Sequence, residues 1–152
     1  MLSVVITASG DASALARLLT ALVPAAAEHV VADVVVRGAA GASREIADDA
    51  GATFADGPDF GEALRLTRGD WIAGLPLAAA FTPGWIETVG RHMALAPPTP
   101  ARLTSDGLFA RSAAEGWLVP RPLALSAGAV EQDLQRLARR RGAGRLRILA
   151  RR

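Results

Sequence analysis

Three polar clusters in this 152-residue chain have the residue types for ligand chemistry. Thr7, Ser9 and Asp11 alternate at the end of an apolar run, Leu2 to Ala8, just ahead of leucines at helical spacing. A loop between the carboxyl end of a strand and a helix N-terminus suits an anionic or polar ligand. Asp11 serves equally well there as a helix N-cap. Arg37 and Gly38 follow a second β-branched run. An arginine at that position can hold a phosphate bidentately, or simply end the strand in solvent. Glu131 and Asp133 form the third cluster, at the head of a predicted helix from about Gly128 to Arg141. First-turn acids are also what the helix dipole favours.

Other positions lack such chemistry. An α/β enzyme usually places polar groups beyond the carboxyl ends of its strands. After the strand-like Trp71 to Leu75, this chain has Pro76-Leu77-Ala78-Ala79-Ala80-Phe81. A divalent cation needs hard oxygen ligands, and these side chains supply none. Asp70 belongs to the opposite end of that strand. His29 and His92 are far apart and lack metal-ligand spacing. Gly38 and Gly41 make neither a Gly-x-Gly-x-x-Gly dinucleotide loop nor a phosphate-binding Walker loop. Trp71, Trp85 and Trp117 read as core anchors.

The elements that would position these groups alternate. Leu2–Ala8 and Val30–Val36 read as buried parallel strands, since both are nearly continuous apolar runs. Between them, Leu15, Leu18, Leu19 and Leu22 mark a helix that Pro24 is expected to end. A helix from Arg44 to Ala50 stops at Gly51, and Thr53-Phe54-Ala55 makes a short third strand. Asp59 caps a helix through Glu62, Leu64 and Leu66. After the strand at Trp71, Thr82-Pro83 opens a helix running to about Leu95. Four strand–helix repeats in 95 residues predict right-handed βαβ crossovers and a mostly parallel sheet. Ala96 to Pro100 is a proline-rich break. Ser105-Asp106-Gly107 then reads as a hairpin turn or a loop before a strand, Gly116 to Pro122 as irregular chain, and Arg145 to Leu149 as a last strand.

In outline the chain resembles a family-2 glycosyltransferase of the GT-A fold. Leu75 with Pro83-Gly84-Trp85 keeps the frame of that family's central motif, and Gly107-Leu108-Phe109 with Arg111 matches an acceptor-side segment. Val130 to Leu137 resembles the stretch that supplies the catalytic base in inverting members. The resemblance implies an α/β, GT-A-like single domain over 1–152, with a nucleotide-binding half (1–95) and an acceptor-side half (101–152). It implies a nucleotide-sugar or nucleoside diphosphate ligand contacted by Thr7, Ser9, Asp11, Arg37, Gly38 and Asp106, and Glu131 or Asp133 as base. The departures fall on functional positions. Leu77, Ala78 and Ala79 stand where the family has its acidic, metal-holding motif, so no metal cofactor is expected. Arg37 stands where the family has an acid. These changes imply impaired sugar transfer, possible pseudo-enzyme status, or a chain that kept the fold to bind a partner protein. A metal-independent transferase using Arg37 or the C-terminal arginines on the diphosphate is the active alternative. A molybdenum-cofactor type nucleotidyltransferase would want a Gly-rich basic loop after the first strand, which Ala8-Ser9-Gly10-Asp11 does not provide.

Composition bounds the remaining possibilities. Half the residues are apolar and about a fifth are charged, as in a globular domain. The sequence pI of 10.8 suggests a nucleic-acid binder, yet the formal net charge is only +2. Every basic side chain other than histidine is arginine, and tyrosine and cysteine are absent, so little titrates between neutral pH and the arginine range. No specific nucleic-acid partner follows. The arginines at 136, 139–141, 145, 147, 151 and 152 fit a solvated helix end and tail, or a surface for phosphates. No apolar run reaches the ~20 residues of a membrane span, and the strand-like N-terminus has no basic leader, so the default expectation is cytoplasmic.

Overall fold

The computed structural model describes residues 1–8, 10–57, 59–105, 115–128 and 130–150. Four strand–helix units open the chain: β1 (Leu2–Thr7), α1 (Ala12–Ala27), β2 (Val31–Arg37), α2 (Ala42–Asp49), β3 (Thr53–Ala55), α3 (Phe60–Leu66), β4 (Trp71–Leu75) and α4 (Trp85–Met93). The second half holds β5 (Ala101–Ser105), β6 (Gly116–Pro120), α5 (Arg121–Ser126), α6 (Glu131–Arg139) and β7 (Gly144–Leu149). All strands join one sheet in the order β3-β2-β1-β4-β6-β5-β7. β6 runs antiparallel to both neighbours, and the other pairings are parallel. The carboxyl ends of β1, β2, β4 and β5 therefore share one edge. This is the mostly parallel, helix-flanked α/β sheet that the strand–helix alternation predicts.

Side-chain alternation sorts the core into two layers. Val4, Ile6, Val36, Ala73 and Leu75 face α1, α2 and α4, where Leu15, Leu18, Ala47, Trp85 and Val89 meet them. Val5, Val35, Ile72, Trp117 and Val119 face α3, α5 and α6, against Phe60, Leu64, Ala124 and Leu134. Trp117 is the largest of the fully buried side chains. It fits because Gly74 lies opposite it on β4, and a Cβ at Gly74 would clash with Cε2, Nε1 and Cζ2 of the indole.

Three expectations need correction. Pro24 does not end α1, which continues to Ala27 with Pro24 inside it. The Pro24 ring is on the exposed face, and burial of Ala25 holds the last turn onto the sheet. The chain then leaves through His29, whose φ of 56° puts it in the left-handed region of a helix C-terminus. At α4 the first helical residue is Trp85, with Gly84 (φ 74°) as N-cap, so Pro83 precedes the helix. Gly116 to Pro120 is not irregular. It is a strand buried at every residue and paired between β4 and β5, a context in which period-2 alternation vanishes. Its continuation, Arg121–Ser126, forms α5, which periodicity in so short a segment did not reveal. The Ser105-Asp106-Gly107 turn lies mostly outside the described residues, although β5 does end at Ser105.

At the amino edge of the sheet, polar groups fasten the crossover from α3 to β4. The nearly buried Asp33 carboxylate accepts from the Arg68 amide (2.9 Å) and its Nε (3.1 Å), and Ser3 Oγ accepts from the Gly69 amide at 2.8 Å. Among the described residues no helix is long and apolar enough to cross a membrane.

Candidate functional site

The candidate site lies at the shared carboxyl edge. Thr7 and Arg37 are register partners at the ends of β1 and β2, and the Ala8 amide donates to the Arg37 carbonyl at 2.9 Å, extending the pairing one residue further. Gly38 then turns with φ 69°, and a Cβ there would sit 3.2 Å from the Ala8 carbonyl oxygen. Alternation puts Thr7 and Arg37 on the sheet face covered by α3, α5 and α6. The Arg37 guanidinium lies over the Phe60 ring, 5.3 Å from its centroid, and Phe60 meets Trp117 edge-on at 6.0 Å. On the other side, Arg37 Nη1 stands 3.9 Å from Oε2 of Glu131, the first residue of α6. The Arg37 side chain is only 18% exposed and Glu131 37%. Two residues from separate halves of the sequence thus meet, and an aromatic pair holds the guanidinium in place.

The other candidates are placed differently. Asp11 accepts from the Ala14 amide at 2.9 Å as the N-cap of α1. Asp133 faces along its own helix, taking 2.8 Å from Arg136 Nη1. Ser9 and Asp106 lie outside the described residues. Two polar groups near this edge were not anticipated as site residues. Ser105 Oγ at the end of β5 and Ser43 Oγ in the first turn of α2 are buried without a hydrogen-bond partner among the described residues. Nothing in the sequence distinguishes these hydroxyls from ordinary turn and cap serines. Phe60 had one signal, since the Asp59 cap places it at the first helical position, beside the edge.

After β4 the chain packs as an apolar plug. The Ala79 amide donates to the Pro76 carbonyl at 2.8 Å, and Ala79 is buried. Phe81 stacks on Trp85 with ring centroids 4.1 Å apart. The amides of Thr82 and Ala150 reach the carbonyls of Ile148 and Ala80, which ties this segment to β7. Residues 76–80 therefore do not fit a divalent cation, and among the described residues no group of three or more acidic or histidine side chains is gathered to hold one. Asp70 is at the far end of β4. A 2.9 Å hydrogen bond from the Met1 ammonium, helped by its charge, holds that carboxyl below the usual range.

No protein-family profile matches the sequence, and no curated protein matches it either. Solved structures do. Glucosyl-3-phosphoglycerate synthase from Mycobacterium tuberculosis in complex with UDP superposes with a TM-score of 0.68 at 17% identity, over 100% of this chain and 71% of that one. The same enzyme in complex with Mn2+, UDP and glucosyl-3-phosphoglycerate gives 0.62 at 17% identity, over 100% and 72%. Mannosyl-3-phosphoglycerate synthase from Rubrobacter xylanophilus gives 0.64 at 14%, over 100% and 66%. The manganese complexes correct the expectation of no cofactor, because solved proteins of this fold do carry a metal beside the nucleotide. From β3 at one edge to β7 at the other, this chain has the GT-A glycosyltransferase fold.

Proposed function

We propose that this chain is a nucleotide-binding domain of glycosyltransferase type, impaired in sugar transfer, and that its ligand is a nucleoside diphosphate or nucleotide-sugar at the carboxyl edge of β1 and β2. The observation that carries this reading is the pairing of Arg37 with Glu131 at that edge. It sets a fork-shaped phosphate donor where a strand end meets a helix start. The same contact engages the carboxylate best placed to act as a base, and Asp133 is engaged by Arg136. A general base must reach an acceptor hydroxyl with its lone pairs available, and the Arg136 hydrogen bond at Asp133 opposes turnover through that carboxylate. In this reading the 1–95 half holds the nucleotide and the 101–152 half faces an acceptor or its vestige.

The test is a thermal-shift titration with uridine, guanosine, adenosine and thymidine diphosphates. Manganese is included in one arm because solved relatives hold it. A ligand that binds only the folded chain raises Tm by mass action, about 2.7 kcal/mol of stabilisation at a hundredfold excess over Kd. One nucleotide raising Tm, with no sugar released from its nucleotide-sugars, is the expected result. Turnover abolished by E131A or D133A, with the fold intact, would instead make the chain an active transferase with that residue as base. No shift with any nucleotide would remove the ligand reading and leave a partner-binding protein.

A further inference from the structure

We infer that the amino edge of the sheet, opposite the candidate site, is a docking surface for a bilayer containing anionic lipid. The inference is independent of the nucleotide reading. Parallel strands all start on one edge, and the helices that return the chain to them end there, so this end of the fold is broad. Six of the seven large apolar side chains left exposed among the described residues lie on it: Met1, Val23, Leu66, Leu95, Leu123 and Leu125. Met1 precedes β1, while Val23, Leu66 and Leu95 fall in or just beyond the last turns of α1, α3 and α4. Leu123 and Leu125 belong to α5, which starts where the Arg121 amide donates to the Asp70 carbonyl at the foot of β4. Ala124 packs into the core and leaves its two flanking leucines outside. Only Val130 lies elsewhere, at the start of α6. A single exposed leucine is ordinary, but a concentration of them on one edge marks a surface that meets something apolar.

The same edge is cationic toward β7. Arg140 caps α6, Arg141 follows it, and Arg145 is the second residue of β7; all three are exposed. Residues 101–152 carry eleven arginines against four acids, whereas residues 1–100 carry six against eleven. The acids at this edge are engaged or distant. Asp70 is held by the Met1 ammonium and Asp33 by Arg68, while Glu28, Asp48 and Asp49 lie at the β2–β3 end. Anionic headgroups attract such arginines, and leucines beside them reach the acyl boundary. A protein partner would call for a contiguous apolar centre, whereas these side chains are spread over separate elements and interleaved with charge. Nucleic acid fits less well, because all three tryptophans are buried and tyrosine is absent, so neither ring is offered to bases. Docked in this way, the chain holds its carboxyl edge toward solvent.

The experiment is co-sedimentation of the full chain with two kinds of vesicle, phosphatidylcholine alone and phosphatidylcholine with phosphatidylglycerol in equal parts. Wild type, R140Q/R141Q and L123S/L125S are compared. Wild type should bind the mixed vesicles at least about tenfold more tightly than the neutral ones, and lose that margin in high salt. An arginine near an anionic surface contributes about fivefold, so R140Q/R141Q should weaken binding to the mixed vesicles about twentyfold. L123S/L125S should weaken it about tenfold on the same vesicles. The wild-type comparison decides even where a substitution harms folding: no binding to the mixed vesicles, or equal binding to both kinds, overturns the inference. Folded L123S/L125S that binds as wild type overturns it too, since the contact would then be electrostatic alone. A single-stranded DNA oligonucleotide is the competing arm. DNA binding that R140Q/R141Q abolishes, with no vesicle binding, assigns the edge to nucleic acid instead.

Discussion

Gly74→Ala is the most diagnostic packing change in this fold. A methyl at position 74 would overlap the Trp117 indole on the neighbouring strand, and Trp117 is 2% exposed with no space to retreat into. Overpacking a filled core costs about 1–3 kcal/mol, and driving the ring off its rotamer adds about 0.5–1.5 kcal/mol. Lower chain entropy in the unfolded state returns about 0.4–1 kcal/mol. The net is a loss of about 2 kcal/mol, or a Tm decrease of about 4–8 °C for a chain of this length. Urea unfolding followed by tryptophan fluorescence measures it directly. Coupling tests the cause: in a W117L background, G74A should cost less than about 0.5 kcal/mol, since the obstructing ring is gone. The same displacement propagates to Phe60, which meets Trp117 edge-on, and so to the ring beneath Arg37. A G74A protein as stable as wild type, or equal costs in both backgrounds, would refute the packing account of β4 and β6.

At the opposite edge, D33A should destabilise the chain by about 1 kcal/mol, because it removes the shorter of the two acceptors of the Arg68 amide and leaves only Ser3 Oγ at 3.2 Å. D33N should recover part of that loss, and chemical denaturation separates the two. P24A should stabilise the chain by about 1 kcal/mol, seen as a Tm rise of about 2–4 °C, since an exposed proline inside α1 denies the Thr20 carbonyl its helical donor.

Where burial and periodicity agree, the sequence was a sufficient guide to the fold. β1, β2 and β4 are apolar runs bounded by turn residues, and α1 carries its leucines on one face above a capping aspartate. The βαβ handedness rule then leaves little freedom in how the first 95 residues wind. β6 defeated the same reasoning for a physical reason. A five-residue strand flanked on both sides and covered on both faces has no alternation to read, and Gly116 with Pro120 at its ends has the composition of a loop. Its assignment depends on contacts with Gly74 and Leu103, residues far away in sequence. Pro24 shows the complementary case, in which tertiary burial of the last turn through Ala25 outweighs the local cost of a proline near the helix end.

The site was legible as a set of residues but not as an arrangement. Thr7 and Arg37 follow from strand ends alone, because parallel neighbours of matched register must deliver their last residues to one edge. Glu131 was visible as an acid at a helix start, yet its meeting with Arg37 is a long-range contact across 94 positions, set by how α6 packs on β5 and β6. Phe60 contributes through geometry, by lying beneath a guanidinium, and no residue type announces that. The alanines after β4 were legible as an absence of oxygen donors, but that absence described one segment and not the fold, which in glucosyl-3-phosphoglycerate synthase is solved in complex with manganese. Chemistry at a strand edge is assembled from groups that are distant in sequence, so single motifs over-report loss and under-report replacement. Arg37 illustrates the point. Judged by residue type it is a family acid inverted; judged by position it is a cation over the Phe60 ring with the Glu131 carboxylate 3.9 Å away.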